Sequence, residues 1–498
     1  MRQKIILVIL LSLSSVSSKT QERKLTKKQV VEDLEFARKT LNDKSSYAYL
    51  NGYDFNKDFD TYQRQLKETT SLESLGLFLT KTIGKIGDRH ASVREFKLKD
   101  SIFLPFMFAP QNGQVAVLHR NDKKELALMN SNFPYLKKID GFAVKNFLQK
   151  ILPDAVNAPK EAHFTNAVRA LRDIQKNYVI LNKDLPKEIT LTLSDSSFKK
   201  DTTFSVPLVD RTKRPTYWDE QFERQYALIK DEDYNKTAVI DKLFEVKDEI
   251  AYIKIPAMVS KADAPLLFEK LNAFMQSATK NSKALIIDVR SNGGGTRDLT
   301  YELAKYFVHP DSIYVVNATK QRGPNRLNKE DIESLHDRNL YAFAELDNEE
   351  KKHVTQFSKA FKPMYDLNKE KYSEYYFGLF NGKKIAEKSA YYNKPIYILA
   401  NEKSFSAASV FVAIFKGLPN IKIVGVTTDG SSGNSERFEL PNSKLRIKIS
   451  TMVSFQKDGK ILDGFGTEPD LKIERDIDQI IWKKDSQLEK LRTLILKN

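Results

Sequence analysis

The stretch Ala284-Leu-Ile-Ile-Asp-Val-Arg-Ser-Asn-Gly-Gly-Gly295 decides the fold. Ala284 to Val289 is a continuous apolar run, the pattern of a strand covered on both faces in a parallel sheet. It opens into Arg290-Ser-Asn-Gly-Gly-Gly295 and then a helix predicted through Phe307. The same order recurs downstream. Pro395 to Ala400 is a strand, followed by Asn401-Glu-Lys-Ser-Phe-Ser406 and a helix through Phe415. Ile421 to Val426 is a third strand. Alternating strand, loop and helix predict an α/β domain over residues 213–498. Within it, residues about 310–390 are charged and Tyr-rich with mixed helical signals. They read as an insertion that could cap a cleft.

Upstream of this domain the periodicity changes. Residues 22–98 read as a helical segment. Val30, Val31, Leu34, Ala37, Arg38 and Leu41 form one stripe at helical spacing, and Leu72, Leu75, Leu79, Ile83 and Ile86 form another. Asn51 to Asp58 between them has the Gly, Asn and Asp content of a turn. The segment runs into Gly87-Asp88-Arg89-His90. Residues 100–212 look instead like a small β-rich module, with strands predicted at Gln114 to Leu118, Ile189 to Leu193 and Thr203 to Leu208. Inside it, Tyr135 to Val144 holds a tight Asp140-Gly141 turn between apolar runs, followed by a helical stretch from Phe147 to Leu152. This core resembles a PDZ-type domain.

Composition narrows the chemistry. The chain has 498 residues and no cysteine. A disulfide framework, a thiolate metal site, a cysteine nucleophile and an acyl-cysteine anchor are therefore excluded. The 81 Lys and Arg against 65 Asp and Glu give a formal charge of +16. The two signs are interleaved, as in Glu349-Glu350-Lys351-Lys352, which is the pattern of a solvated surface and not of a nucleic-acid binder. Met1 to Ser18 reads as a signal peptide, with Arg2 and Lys4, an apolar run from Ile5 to Leu13 and small residues to Ser18. No later stretch is long and apolar enough to span a bilayer, so an exported protein is expected, periplasmic or extracellular. The sequence carries no signature of oligomeric state.

Two loops carry candidate chemistry. Asn292-Gly-Gly-Gly295 runs from a strand into a helix and exposes backbone N–H groups, as an oxyanion hole or as a plain tight turn. It is neither a G-x-G-x-x-G nor a P-loop motif, so no nucleotide cofactor is expected. Ser406 falls in the first turn of its helix, as a nucleophile beside free N–H groups or as an ordinary helix cap. A serine nucleophile needs a base, and His90 beside a turn is the candidate. His119, His163, His309, His336 and His353 lie in polar or unpatterned surroundings. No paired-histidine spacing exists, so no metal site is expected.

Taken together, these pieces resemble the C-terminal-processing, or tail-specific, serine peptidases. Ile286 to Gly295 is similar to that family's D-x-R-x-N-x-G-G strand and loop, and Ser404 to Ser409 to its nucleophile motif. Gly425 to Gly430 is similar to its G-x-x-T-x-G segment, and Leu462 to Asp470 to its closing G-x-x-P-D. The resemblance implies a crotonase-like spiral α/β catalytic domain preceded by a PDZ-like domain, acting on protein or peptide substrates without a cofactor. Where the better-known branch carries a lysine base, this chain has Ser431 followed by Ser432. The other branch resembles tricorn core proteases and retinoid-binding relatives and uses the histidine of a G-D-x-H motif. Gly87 to His90 matches that motif.

The resemblance then assigns roles. Ser406 is the nucleophile and His90 the base. Asp463, through Ser431 or water, orients the imidazole, and the N–H groups of Gly293 or Gly294 and of Ala407 hold the oxyanion. Asp463 stands where a glutamate is more usual, and Ser409 replaces the glutamate that often ends the nucleophile motif. Ser409 and the absent lysine keep a second reading open, a catalytically silent binder of peptide or hydrophobic ligand on the same fold. Acyl-CoA chemistry on a crotonase fold is a third.

Overall fold

In the computed structural model, residues 23–152, 158–226, 229–323, 327–368, 370–385 and 390–497 are described. The expected signal peptide, Met1 to Ser18, lies outside them. Among the described residues no helix is long and apolar enough to cross a membrane.

The three apolar runs form the middle of one six-stranded sheet, ordered Phe244–Lys247, Ile250–Lys254, Ala284–Asp288, Ile396–Ala400, Ile421–Gly425 and Leu471–Lys472. All neighbouring pairs are parallel except the first. Every residue of Ala284–Asp288 is buried, because alternate side chains feed two different cores. Leu285 and Ile287 pack with Phe268 and Leu271 of helix Pro265–Asn281 and with Phe411 of helix Ala407–Phe415. Ala284 and Ile286 pack with Leu491 and Ile495 of helix Ser486–Lys497. That two-sided burial is why the strand reads as a continuous run and not as an alternation.

The N-terminal segment folds as helices Lys27–Lys44, Phe55–Arg64 and Leu72–Gly84. Val30, Leu34, Ala37 and Leu41 of the first stripe are buried, and so are Leu75, Leu79, Ile83 and Ile86 of the second. The predicted turn at Asn51 to Asp58 is shorter than expected. Asp54 accepts the Asn56 N–H and starts a helix at Phe55, so its turn-like composition includes a cap. This helical unit shares its core with Leu440, Leu445, Ile447 and Phe455, far along the chain.

Residues 102–207 contain a seven-stranded antiparallel sheet, with helices Val144–Ile151, Lys160–Ala170 and Ile174–Ile180 over its core. The Asp140-Gly141 turn closes the pair Ile139↔Phe142, and both turn residues have positive φ (46° and 76°), as a tight hairpin requires.

The 310–390 segment holds more strand than its mixed helical signals suggest. Its strands Ile313–Gln321, Leu340–Ala342 and Tyr376–Asn381 form a four-stranded sheet with Met452–Phe455. Two helices, Lys329–His336 and Asn348–Ala360, hang from it. Pairing with one another across dozens of residues, and of Ile313–Gln321 with residues 452–455, fixes these strands, which local periodicity cannot register.

Candidate active site

The glycine loop is built on a buried charge cluster. Asp288, the last residue of its strand, accepts from Arg290 Nε and Nη2, Lys254 Nζ and the Tyr252 hydroxyl. Burial alone would raise the Asp288 carboxyl; Arg290 and Lys254 outweigh it and hold the group below the usual carboxylate range. Arg290 also pairs with Asp485 at 2.6 Å. The chain leaving the strand is thus fixed from both sides. Asn292, fully buried, donates to the Ile255 carbonyl at 2.8 Å and accepts the Gly294 N–H at 2.8 Å. Its own carbonyl accepts the Phe405 N–H at 2.9 Å, which ties the glycine loop to the loop before Ser406.

The second loop is locked in a similar way. Ser404 donates to the Val289 carbonyl at 2.8 Å, and Asn401 accepts the Ser291 N–H at 2.8 Å. Ser406 stands at the N-cap of helix Ala407–Phe415 with φ 53° and ψ −124°, a conformation few L-residues adopt. Such strain persists only where surrounding bonds over-determine it, and it concentrates at reactive residues on strand-to-helix turns. A Cβ at Gly294 would lie 2.6 Å from Ser406 Cβ and 2.9 Å from the Phe405 carbonyl oxygen. Only glycine lets the two loops approach this closely.

His90 reaches Ser406 from the other end of the chain. Strand Ser92–Arg94 pairs antiparallel with Arg446–Ser450, and Asp88 accepts from the Ser450 hydroxyl at 2.7 Å and from the His90 N–H at 2.9 Å. His90 Nε2 then sits 3.2 Å from Ser406 Oγ, across a sequence separation of 316 residues. The ring packs on Phe405 with centroids 5.1 Å apart. Burial, then Lys448 and Arg89, push the imidazole pKa down to about 3, against a smaller opposing pull from the Ser432 carbonyl. The ring is therefore neutral at physiological pH, the state in which it can accept a proton.

The other expected residues fall into different arrangements. Asp463 is buried but does not touch His90. It accepts from the Tyr47 hydroxyl at 2.8 Å and from the Ser432 hydroxyl. Burial and the nearby Asp88 push its pKa up to about 8, against those hydrogen bonds. His90 Nδ1 is buried with no hydrogen-bond partner among the described residues, although the Ser432 carbonyl lies near the ring. Ser431 is not a bridge between the acid and the imidazole. Its hydroxyl accepts the Ser406 N–H at 2.6 Å, and Ser432 is the serine that contacts Asp463.

Of the candidate oxyanion donors, the Gly294 N–H is occupied by Asn292. No hydrogen bond among the described residues engages the N–H of Gly293 or Ala407. Ser409 is buried against Thr428 at 3.3 Å. Ser432, Tyr47 and Lys448 have no signal in the sequence, since only pairing over hundreds of residues brings them here. Asp88 had one: an Asp two residues before a His can accept that residue's N–H.

Ser406 and His90 open onto a cleft of about 470 Å³, lined also by Thr296, Arg297, Arg338 and Lys448. Asp337 and Arg338 bring the 310–390 segment to its wall.

Comparison with known proteins agrees with this architecture. The structure is similar to mature CPAF complexed with lactacystin, with 18% identity, 95% of this chain and 98% of that chain covered, and a TM-score of 0.62. A second structure of mature CPAF gives 17% identity, 95% and 97% coverage and the same TM-score of 0.62. Among curated sequences, an uncharacterized protein of Chlamydia muridarum is 30% identical over 108 residues, 21% of this chain. A protein of Chlamydia trachomatis serovar D matches equally, at 30% over 108 residues. This chain spans only 18% of the length of each of those two relatives. The model of peptidase family S41 matches residues 249–473, which hold the five parallel strands of the sheet, the glycine loop and the Ser406 helix described above. The chain thus carries a peptidase family S41 domain at residues 249–473.

Proposed function

We propose that this protein is an exported serine endopeptidase that cleaves unstructured or C-terminal segments of proteins through a Ser406–His90 relay. The observation that carries the reading is the 3.2 Å approach of His90 Nε2 to Ser406 Oγ. Ser406 Oγ attacks the scissile carbonyl carbon while Nε2 takes its proton. The imidazolium then passes that proton to the leaving amine, and water repeats the cycle to release the acyl group. The N–H groups of Gly293 and Ala407, at a glycine loop and a helix N-terminus, receive the oxyanion. Asp463 acts one step removed, holding Ser432, whose carbonyl faces the ring. The domain around the six-stranded sheet is read as crotonase-like, and the 100–212 module as a PDZ-like domain that presents substrate. Residues 22–98 deliver the base.

One observation favours a second reading. The buried and unpartnered His90 Nδ1 leaves the imidazolium without an acidic partner. That would suit a catalytically silent binder of peptides or hydrophobic ligands on the same fold. Labelling with a serine-directed fluorophosphonate and digestion of casein separate the two. The peptidase labels at Ser406 and cleaves, and both activities vanish in Ser406→Ala and fall steeply in His90→Ala. Wild type that neither labels nor cleaves is the silent binder.

A further inference from the structure

The cleft beside Ser406 has an uneven charge inventory. Arg297, Arg338 and Lys448 all line it, and all are half-buried. No carboxylate among the described residues comes within ion-pair distance of any of them; Asp337 acts on Arg338 and Asp88 on Lys448 only from farther off. The acids in the same wall are otherwise placed: Asp298 accepts the Lys261 N–H at 2.8 Å, and Asp337 is exposed at the rim.

The two guanidinium groups are held by neutral partners. Arg338 donates to the Ser334 hydroxyl at 2.6 Å and to Asn434 Oδ1 at 3.0 Å. Its backbone carbonyl accepts from Arg297 Nη1 at 3.1 Å and from the Tyr301 hydroxyl at 3.1 Å. Asn434 lies two residues beyond Ser432, so this clamp is continuous with the loop that faces His90. Burial lowers the proton affinity of Arg297; Tyr301 opposes it, and the neighbouring Arg338 adds to it.

Charges removed from water without a counter-charge are costly, and an incoming anion relieves that cost. A forked, planar guanidinium matches a carboxylate in particular. We infer that Arg297 and Arg338, with Lys448 across the cleft, form a subsite for a carboxylate of the substrate, and that the 310–390 segment is there to supply Arg338. The inference rests on the peptidase reading for its substrate class, a peptide. The carboxylate is an Asp or Glu side chain near the scissile bond or the free C-terminus of the peptide.

The test uses the full chain and short synthetic peptides in which Glu, Gln or Lys occupies each position in turn. Each peptide is made with a free and with an amidated C-terminus. Cleavage by wild type and fluorescence-polarisation binding to Ser406→Ala are both read. Glu at one position is expected to be favoured over Gln by about tenfold, the scale of a charge-assisted hydrogen bond. A preference that survives amidation assigns the side chain; one that resides in the free terminus and disappears on amidation assigns the C-terminal carboxylate. Arg338→Gln and, independently, Arg297→Gln bring the ratio toward one, and Arg338→Glu shifts it toward Lys. Circular dichroism verifies that each variant is folded.

The inference is overturned if no carboxylate, internal or terminal, changes binding or cleavage by more than about twofold. A preference untouched by both arginine substitutions overturns it as well. If wild type cleaves nothing while Ser406→Ala still selects carboxylates, the subsite stands and the peptidase reading falls.

Discussion

Gly294→Ala is the sharpest probe of how the two loops make the site. The added Cβ would meet Ser406 Cβ at 2.6 Å, the Phe405 carbonyl oxygen at 2.9 Å and the Ala407 nitrogen at 3.0 Å. Ordinary carbon contacts begin near ~3.5 Å, so the loops must part by about 1 Å. The backbone adds its own penalty, because φ at Gly294 is +94°. A left-handed conformation costs an alanine about 1–2 kcal/mol, and overpacking of a fitted interior costs about 1–3 kcal/mol. Together the fold should lose roughly 2–5 kcal/mol. Function should suffer more, since a misplacement of about 1 Å at a reacting group costs on the order of a hundredfold in rate. Gly293→Ala is the control for stability: no atom lies within 4 Å of its Cβ position and its φ is not positive. Thermal unfolding and the rate of fluorophosphonate labelling are measured for both variants. Gly294→Ala should unfold at lower temperature and label about a hundredfold more slowly, whereas Gly293→Ala should unfold like wild type. A Gly294→Ala protein with wild-type melting and labelling would refute the close-approach argument.

Other outcomes follow from the electrostatics. With its imidazole pKa held near 3, His90 stays neutral well below pH 6.5, so the acid limb of labelling lies far below that of an ordinary histidine. Lys448→Met removes one cause of the depression and should move that limb upward in a pH–rate profile. The folded chain refuses a proton at His90 that the unfolded chain accepts between pH 6.5 and about 3. Stability therefore falls as pH drops through that window, and His90→Gln should flatten this share of the decline in denaturant titrations. Asp463, pushed up to about 8, is protonated at pH 7 and does not touch the imidazole. Asp463→Asn should keep labelling within about tenfold at pH 7, against the roughly ten-thousandfold loss when a directly bonded triad acid is neutralised; a thousandfold loss would count against the indirect role. Asp88→Ala strips acceptors from the Ser450 N–H, the Ser450 hydroxyl and the His90 N–H. It should cost about 1–3 kcal/mol for each buried donor left bare, read by chemical denaturation, and should slow labelling as His90 loses its anchor.

Much of the catalytic framework was legible because its signals are local. The runs Ala284–Asp288, Ile396–Ala400 and Ile421–Gly425 are strands where a continuous apolar pattern put them. The helices ending at Phe307 and Phe415 begin just beyond their predicted loops. His90 and Ser406 could be singled out by the residues beside them, Gly-Asp-Arg before the one and a strand-to-helix turn before the other. The 310–390 segment resisted the same treatment. Its strands take their register from one another across dozens of residues and, at one edge, from Met452–Phe455, so composition there pointed to mixed helix and concealed a sheet.

The amino-acid sequence by itself determined which backbone units exist, since apolar period, glycine placement and helix caps act within a few residues. It also determined that a hydroxyl and an imidazole, not a thiol, were the groups available. Tertiary structure alone decided what those groups face. Pairing of Ser92–Arg94 with Arg446–Ser450 carries His90 to Ser406, and the shared core of the N-terminal helices with residues 440–461 brings Tyr47 to Asp463. It set Ser432 and not Ser431 against that acid, and around Ser406 it left three cations without an ion pair among the described residues. These contacts join residues dozens to hundreds of positions apart. Their energies depend on distance and burial in space, and local sequence patterns encode neither.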